Sequence, residues 1–239
     1  MLRRTGSDAL RWSSEGAALV ERAVASLTDD DFDAPSALDG WARRHLVAHI
    51  SANADALCNL AHWAKTGEAT PMYASPTERA EGIERGSRLS VAELRTWLVA
   101  ANARLALAFD EIPVERWTAE VVTAQGRTVP ATEIPWLRTR EVFIHAVDLN
   151  AGVTFADLPS DFLLALIDDI VTKRSNSKDG AALSVAVIGH SDEWMIPGLG
   201  DEVAISGSLA DAAAYLAGRS HGAVLTSDGE PAPALPAWL

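Results

Sequence analysis

The chain reads as α followed by α+β, and three observations predict this. Four segments before Gly152 carry helical apolar spacing or run long without Gly or Pro. After Gly152 the pattern changes to helices alternating with short β-branched runs. Helices first and mixed elements later is the order expected of two domains. We therefore divide the chain into residues 1–152 and 153–239. The first is a four-helix bundle with one long crossover. The second is a small α+β domain with a short, mostly antiparallel sheet.

Residues 8–27 place Leu10, Leu19, Val20, Val24 and Leu27 at helical intervals. Thr28 to Asp33 is acidic, and Pro35 and Gly40 follow it, which marks a loop. From Trp41 to Lys65 there is no Gly or Pro, so a long helix is expected, ending near Gly67. Residues 68–89, with Pro71, Gly82 and Gly86, read as an irregular connection holding at most a short helix. Ser90 can cap a third helix running to about Asp110. Residues 114–130 carry Val121, Val122 and Val129 around Gly126 and read as extended. A fourth helix spans about Ala131 to Asn150, with Pro135 accepted in its first turn and Gly152 beyond its end. In the second part, residues 160–174 and Ser208 to Ala217 are expected to be helical. Ala182 to Ile188, Glu193 to Ile196, Glu202 to Ser206 and Ala223 to Thr226 are expected to be strands.

The 239 residues are 48% hydrophobic and 22% charged, an ordinary globular composition. A formal net charge of −13 repels phosphate backbones, so nucleic acid is not an expected partner. An anionic substrate would need local positive charge from a metal or an arginine. The single cysteine, Cys58, allows no intramolecular disulfide and suits a reducing compartment. Two arginines near the start are followed by no apolar stretch, and no run is long enough to span a membrane. We therefore expect no signal peptide, no membrane partner and a cytoplasmic monomer.

The fourth helix carries Glu141 and His145, four residues apart and so on one face. Such a pair can chelate a divalent ion, although the same spacing also occurs in surface pairs. The second helix carries His45 and His49 at the same interval. Facing helices that supply two ligands each are how bundles build metal sites. Cys58 follows His49 by nine residues, and at about 100° per residue it points to the opposite face. It is expected to pack rather than to react, and His62 also points away. His190 and His221 read as turn and loop residues. Asp148, three residues beyond His145, could orient that ligand or lie at the surface; the spacing leaves both open.

Leu27-Thr28-Asp29-Asp30-Asp31-Phe32-Asp33-Ala34-Pro35-Ser36, followed by Gly40-Trp41-Ala42-Arg43-Arg44-His45-Leu46-Val47-Ala48-His49-Ile50, resembles the opening motif of the mycothiol-dependent maleylpyruvate isomerase family. Arg140-Glu141-Val142-Phe143-Ile144-His145-Ala146-Val147-Asp148-Leu149 resembles its second motif, and Leu216-Ala217-Gly218-Arg219 its third. The resemblance implies a DinB-like four-helix bundle followed by a small α+β domain. It implies His49, Glu141 and His145 as metal ligands, with His45 at a variable position beside them. Three protein ligands leave positions open, as in a working site, and two His with one Glu point first to zinc. The third motif makes Arg219 a candidate catalytic residue, a bidentate clamp for a substrate carboxylate. Its plain alternative is a cation at a helix C-terminus.

The implied activity is cis–trans isomerisation of maleylpyruvate to fumarylpyruvate, a step of gentisate catabolism, with mycothiol as thiol cosubstrate. Two other readings share the sequence: a metal-dependent mycothiol S-transferase and a non-catalytic zinc-binding regulator.

Overall fold

The computed structural model of the chain describes residues 4–75, 77–177, 180–219, 223–235 and 238. His221, considered above, lies outside them. The chain divides into two compact units, Gly6–Val153 and Thr154–Leu239, with the leading residues as far as Thr5 grouped with the latter.

The first unit is helical. Its helices are α1 (Gly6–Ser26), α2 (Arg43–Thr66), α3 (Glu78–Ser87), α4 (Val91–Asp110) and α5 (Ile134–Asp148). Helix α4 starts where Ser90 predicts it. Ser90 Oγ accepts from the Glu93 backbone N–H at 3.3 Å, and Glu93 Oε2 accepts from the Ser90 backbone N–H at 2.9 Å. That reciprocal capping box satisfies two amides otherwise left open at the helix start. Helix α5 follows a 3-10 turn at Ala131–Glu133 and holds Pro135 in its first turn, where no amide partner is needed. Between α4 and α5 the extended stretch is a small antiparallel hairpin, β1 (Glu120–Val122) with β2 (Thr128–Pro130), Val121 opposite Val129.

The 68–89 segment, expected to hold at most a short helix, contains one of ten residues, α3. Gly86 looks like a breaker in sequence, but it is buried where a Cβ would come within 2.7 Å of the Trp97 ring and 2.9 Å of the Ala48 Cβ. The missing side chain lets α3 lie close against α2 and α4, and that packing offsets glycine's poor helix propensity.

The core of this unit is in two apolar parts. One gathers Val20, Val24, Phe32, Leu46, Leu94 and Leu98 with Val142 and Leu149. The other gathers Leu57, Leu60, Leu105, Phe109, Val121 and Ile134. Along α2, α4 and α5 the residues between these parts include the buried polar side chains of Asn53, Asn102 and Arg138. A polar layer therefore crosses the bundle, and the candidate site adjoins it, Glu141 following Arg138 by three positions on α5.

The second unit holds α6 (Ser160–Ser177), β3 (Ala181–Val187), β4 (Glu193–Ile196), β5 (Leu199–Gly207), α7 (Leu209–Leu216) and β6 (Leu225–Thr226). The sheet order is β4-β3-β5-β6. Its outer pairings are antiparallel, as expected, but the longest, β3 with β5, is parallel, with Val185 opposite Ile205. Helix α6 is fastened by Trp194 Nε1 donating to Asp168 Oδ1 at 2.7 Å and by Arg174 Nη2 donating to the Leu216 carbonyl at 2.9 Å. Among the described residues no helix is long and apolar enough to cross a membrane.

Candidate metal centre

Helices α2 and α5 face each other across the polar layer, and two arginines pin them together. Arg43, the first residue of α2, donates Nε to the Leu149 carbonyl at 2.8 Å and Nη2 to the Asn150 carbonyl at 2.6 Å. Those carbonyls lie at the open end of α5, where a cation is favoured. Arg138 of α5 reaches the other way. Its Nη1 donates to the Ile50 carbonyl and to Asn53 Oδ1, both at 2.8 Å, and its Nη2 to Asn102 Oδ1 at 2.5 Å. Burial lowers the Arg138 guanidinium to about 10, with Glu141 foremost among the charges opposing that shift, so it stays protonated at neutral pH.

Between these two clamps stand His49, Glu141 and His145. His49 Nε2 lies 2.9 Å from Glu141 Oε2, and His145 Nε2 lies 3.3 Å from the same oxygen. One ligand atom from each of the three falls within 4.8 Å of the others. Among the described residues this is the one cluster of three metal-ligating side chains of that kind. A tetrahedral ion with bonds of about 2.0–2.1 Å separates its donors by about 3.3 Å, so the residues fit a divalent ion with slight opening. The donor chemistry also fits: two imidazoles and a carboxylate suit zinc, with a position left for another ligand. His145 Nδ1 is 2.8 Å from Asp148 Oδ2, and Asp148 is fully buried. That contact places the proton on Nδ1 and turns the Nε2 lone pair toward the centre, the usual support for a metal-bound histidine. Of the two positions the spacing allowed Asp148, the buried one is occupied.

The charges are strongly coupled. Burial works against the Glu141 carboxylate, but hydrogen bonds from both histidines hold it well below the usual range. Burial also works against the His145 imidazolium, yet Asp148 and Glu141 together raise it to about 9. His49 goes the other way: burial lowers it, and Glu141 does not compensate. Without metal the cluster therefore keeps its proton on His145, between two carboxylates, and a divalent ion would take that proton's place.

The other sequence candidates fall elsewhere. His45 is half-buried with its Nδ1 lacking a hydrogen-bond partner, and it is outside the cluster. Cys58 is half-buried against the second apolar part, and burial, then Asp55, pushes its thiol up to about 11. His62 is exposed near Glu68, and His190 is exposed in the turn after β3. Arg219 follows α7 in the second unit. Gly218 has φ +73°, its N–H returns to the Tyr215 carbonyl, and the Arg219 N–H returns to the Ala214 carbonyl, both at 2.9 Å. This is a Schellman ending, which needs glycine at the left-handed position. The Arg219 Nη1 donates to the Ala217 carbonyl at 2.9 Å.

Sequence reasoning missed Arg79, Tyr73 and Arg138. Arg79 Nη2 lies 3.5 Å from His49 Nδ1. Arg79 and Tyr73 also line a cavity of about 440 Å³ beside α2 and α3, with Ala52, Asn59 and Gly82. Only long-range folding brings these residues together. Arg138 gave no local signal, because Arg140 and Glu141 stand beside it in the same helix.

The mycothiol maleylpyruvate isomerase N-terminal domain family matches residues 13–150, which include all three clustered side chains. Among solved structures, the mycothiol-dependent maleylpyruvate isomerase is similar at 42% identity over 98% of both chains, with a TM-score of 0.93. A single-histidine mutant of that enzyme matches at 42% identity over 98% of both chains, with a TM-score of 0.92. No curated protein sequence matches at a significant level. The fold, the clustered histidines and carboxylate and these likenesses agree, and the chain belongs to the mycothiol maleylpyruvate isomerase family.

Proposed function

We propose that this protein isomerises maleylpyruvate to fumarylpyruvate in gentisate catabolism in the cytoplasm, using mycothiol as a reversible nucleophile. The observation that carries the proposal is the convergence of His49, Glu141 and His145 from two helices in a member of this family. Rotation about a carbon–carbon double bond is blocked until that bond becomes single. A thiolate adds to the conjugated alkene: its electron pair forms a C–S bond while the π pair moves onto the adjacent carbonyl as an enolate. After rotation the enolate pair restores the double bond and the C–S bond breaks, returning the thiolate. A divalent ion, zinc by preference, held by His49, Glu141 and His145 would supply Lewis acidity that favours the thiolate or polarises the carbonyl. Asp148 fixes the His145 ring, Arg138 and Arg43 fix the helices that carry the ligands, and the cosubstrate supplies the thiol, a reading supported by the burial that pushes the Cys58 thiol up to about 11. Arg219 is the proposed carboxylate clamp, since a dicarboxylate needs cations on a chain of net charge −13.

The test is turnover by zinc-loaded protein with maleylpyruvate and substoichiometric mycothiol. Fumarylpyruvate forming in molar excess over an undiminished thiol pool is the expected result. Stoichiometric thiol consumption would make the protein an S-transferase, and absence of both would leave a zinc-binding regulator; either overturns the proposal.

A further inference from the structure

The two histidines of the centre differ at their outer nitrogens. His145 Nδ1 faces an acceptor, Asp148 Oδ2, at 2.8 Å. His49 Nδ1 faces a donor, Arg79 Nη2, at 3.5 Å. In the metal-free arrangement this is consistent: His49 Nε2–H donates to Glu141, and the bare Nδ1 accepts from Arg79. It does not survive metal binding. A neutral imidazole that ligates through Nε2 carries its proton on Nδ1, and a metal-bound histidine normally donates that proton to an oxygen. A guanidinium has five donors and no acceptor. With a metal bound, His49 Nδ1–H and Arg79 Nη2–H face one another 3.5 Å apart as two donors, while the Tyr73 phenol beside them already takes a hydrogen bond from Arg79 and leaves the His49 proton without an acceptor of its own.

We infer that a carboxylate of the substrate supplies the missing acceptor, binding between Arg79 and His49 Nδ1–H. This rests on the reaction proposed above for the identity of the substrate, but the donor pair itself selects for an anion. Water can accept there in the resting protein. A carboxylate fills the place better, since one oxygen takes the imidazole proton while the guanidinium fork engages the group with charge. Arg79 also lines a cavity of about 440 Å³ beside α2 and α3, so its guanidinium borders open space on the side away from His49. Arg79 belongs to α3, the helix whose glycine permits close approach to α2, so the cation is carried by a packed element. It also acts on the Tyr73 phenol: burial raises that group, and Arg79 opposes the rise through charge and a side-chain hydrogen bond. The chain's acidity makes such a local cation necessary for a dicarboxylate.

The experiment uses maleate, a cis-dicarboxylate, titrated calorimetrically into zinc-loaded parent, Arg79→Met and Arg79→Lys proteins without thiol. Arg79→Met is expected to keep its zinc and to bind maleate weaker by on the order of ten- to a hundredfold, as for a lost charged hydrogen bond. Its KM for maleylpyruvate should rise more than its kcat falls, and Arg79→Lys should lie between. An unchanged maleate affinity in zinc-replete Arg79→Met overturns the inference, as does a parent that binds no maleate. Loss of zinc from Arg79→Met also overturns it, by making Arg79 a support of the metal. A parent that binds maleate through Arg79 yet does not isomerise maleylpyruvate leaves this site standing and sinks only the reaction.

Discussion

At the scale of the residue, the chemistry depends on which side chains are held away from water and by what. Cys58 on α2 and the Glu141–His145 pair on α5 have opposite fates. The Cys58 thiol is pushed up to about 11 by burial and by the nearby Asp55 carboxylate, with Arg104 and Arg138 opposing. The thiolate is the reactive form, so raising the pKa removes reactivity at neutral pH. Alkylation of Cys58 by iodoacetamide in the folded protein is therefore expected to be very slow at pH 8. It should quicken roughly tenfold per pH unit toward pH 11, because the thiolate fraction climbs that way below the pKa. Cys58→Ala is expected to turn over like the parent. Rapid alkylation at pH 7 accompanied by lost turnover would make the protein's own thiol the nucleophile. Glu141 and His145 are the opposite case, in which burial is outweighed by paired groups and the charges persist.

At the scale of the element, helices α2 and α5, which carry the cluster, are joined through polar groups as well as apolar ones. Arg138 is the internal brace, fully buried with its hydrogen bonds going to α2 and α4. Arg138→Met keeps most of the volume but leaves the Ile50 carbonyl and two asparagines without their donor. A loss on the order of 2–4 kcal/mol is expected, read as a lower urea midpoint at unchanged slope. A parent-like midpoint would mean the brace contributes nothing. Elements fixed by local chemistry were legible in the sequence: the Ser90 cap of α4, the Pro135 start of α5 and the strand at Glu193–Ile196. Features fixed by distant partners were not. Gly86 reads as a breaker unless Trp97 and Ala48 are known to press on it, and the β3–β5 pairing skips over the intervening β4. The site divides the same way. Glu141, His145 and Asp148 share one helix face at short spacing and can be read together. Arg79 and Arg138 meet their partners across 30 to 88 positions and leave no local trace.

At the scale of the whole molecule, the first unit contains the whole cluster of His49, Glu141 and His145, with Asp148 and both helix clamps. Arg219, at the Schellman ending of α7 where the third family motif falls, belongs to the second unit. A bundle with two apolar core parts does not depend on one ligand for its fold, so ligand and fold can be separated by mutation. The central claim is that His49, Glu141 and His145 hold a divalent ion. Its most direct test is elemental analysis of purified His49→Ala beside the parent, with circular dichroism to establish folding. The account expects about one zinc per chain in the parent and almost none in a mutant of parent-like helicity, since two remaining ligands hold the ion weakly. A folded His49→Ala protein that still carries a full equivalent of metal would contradict it.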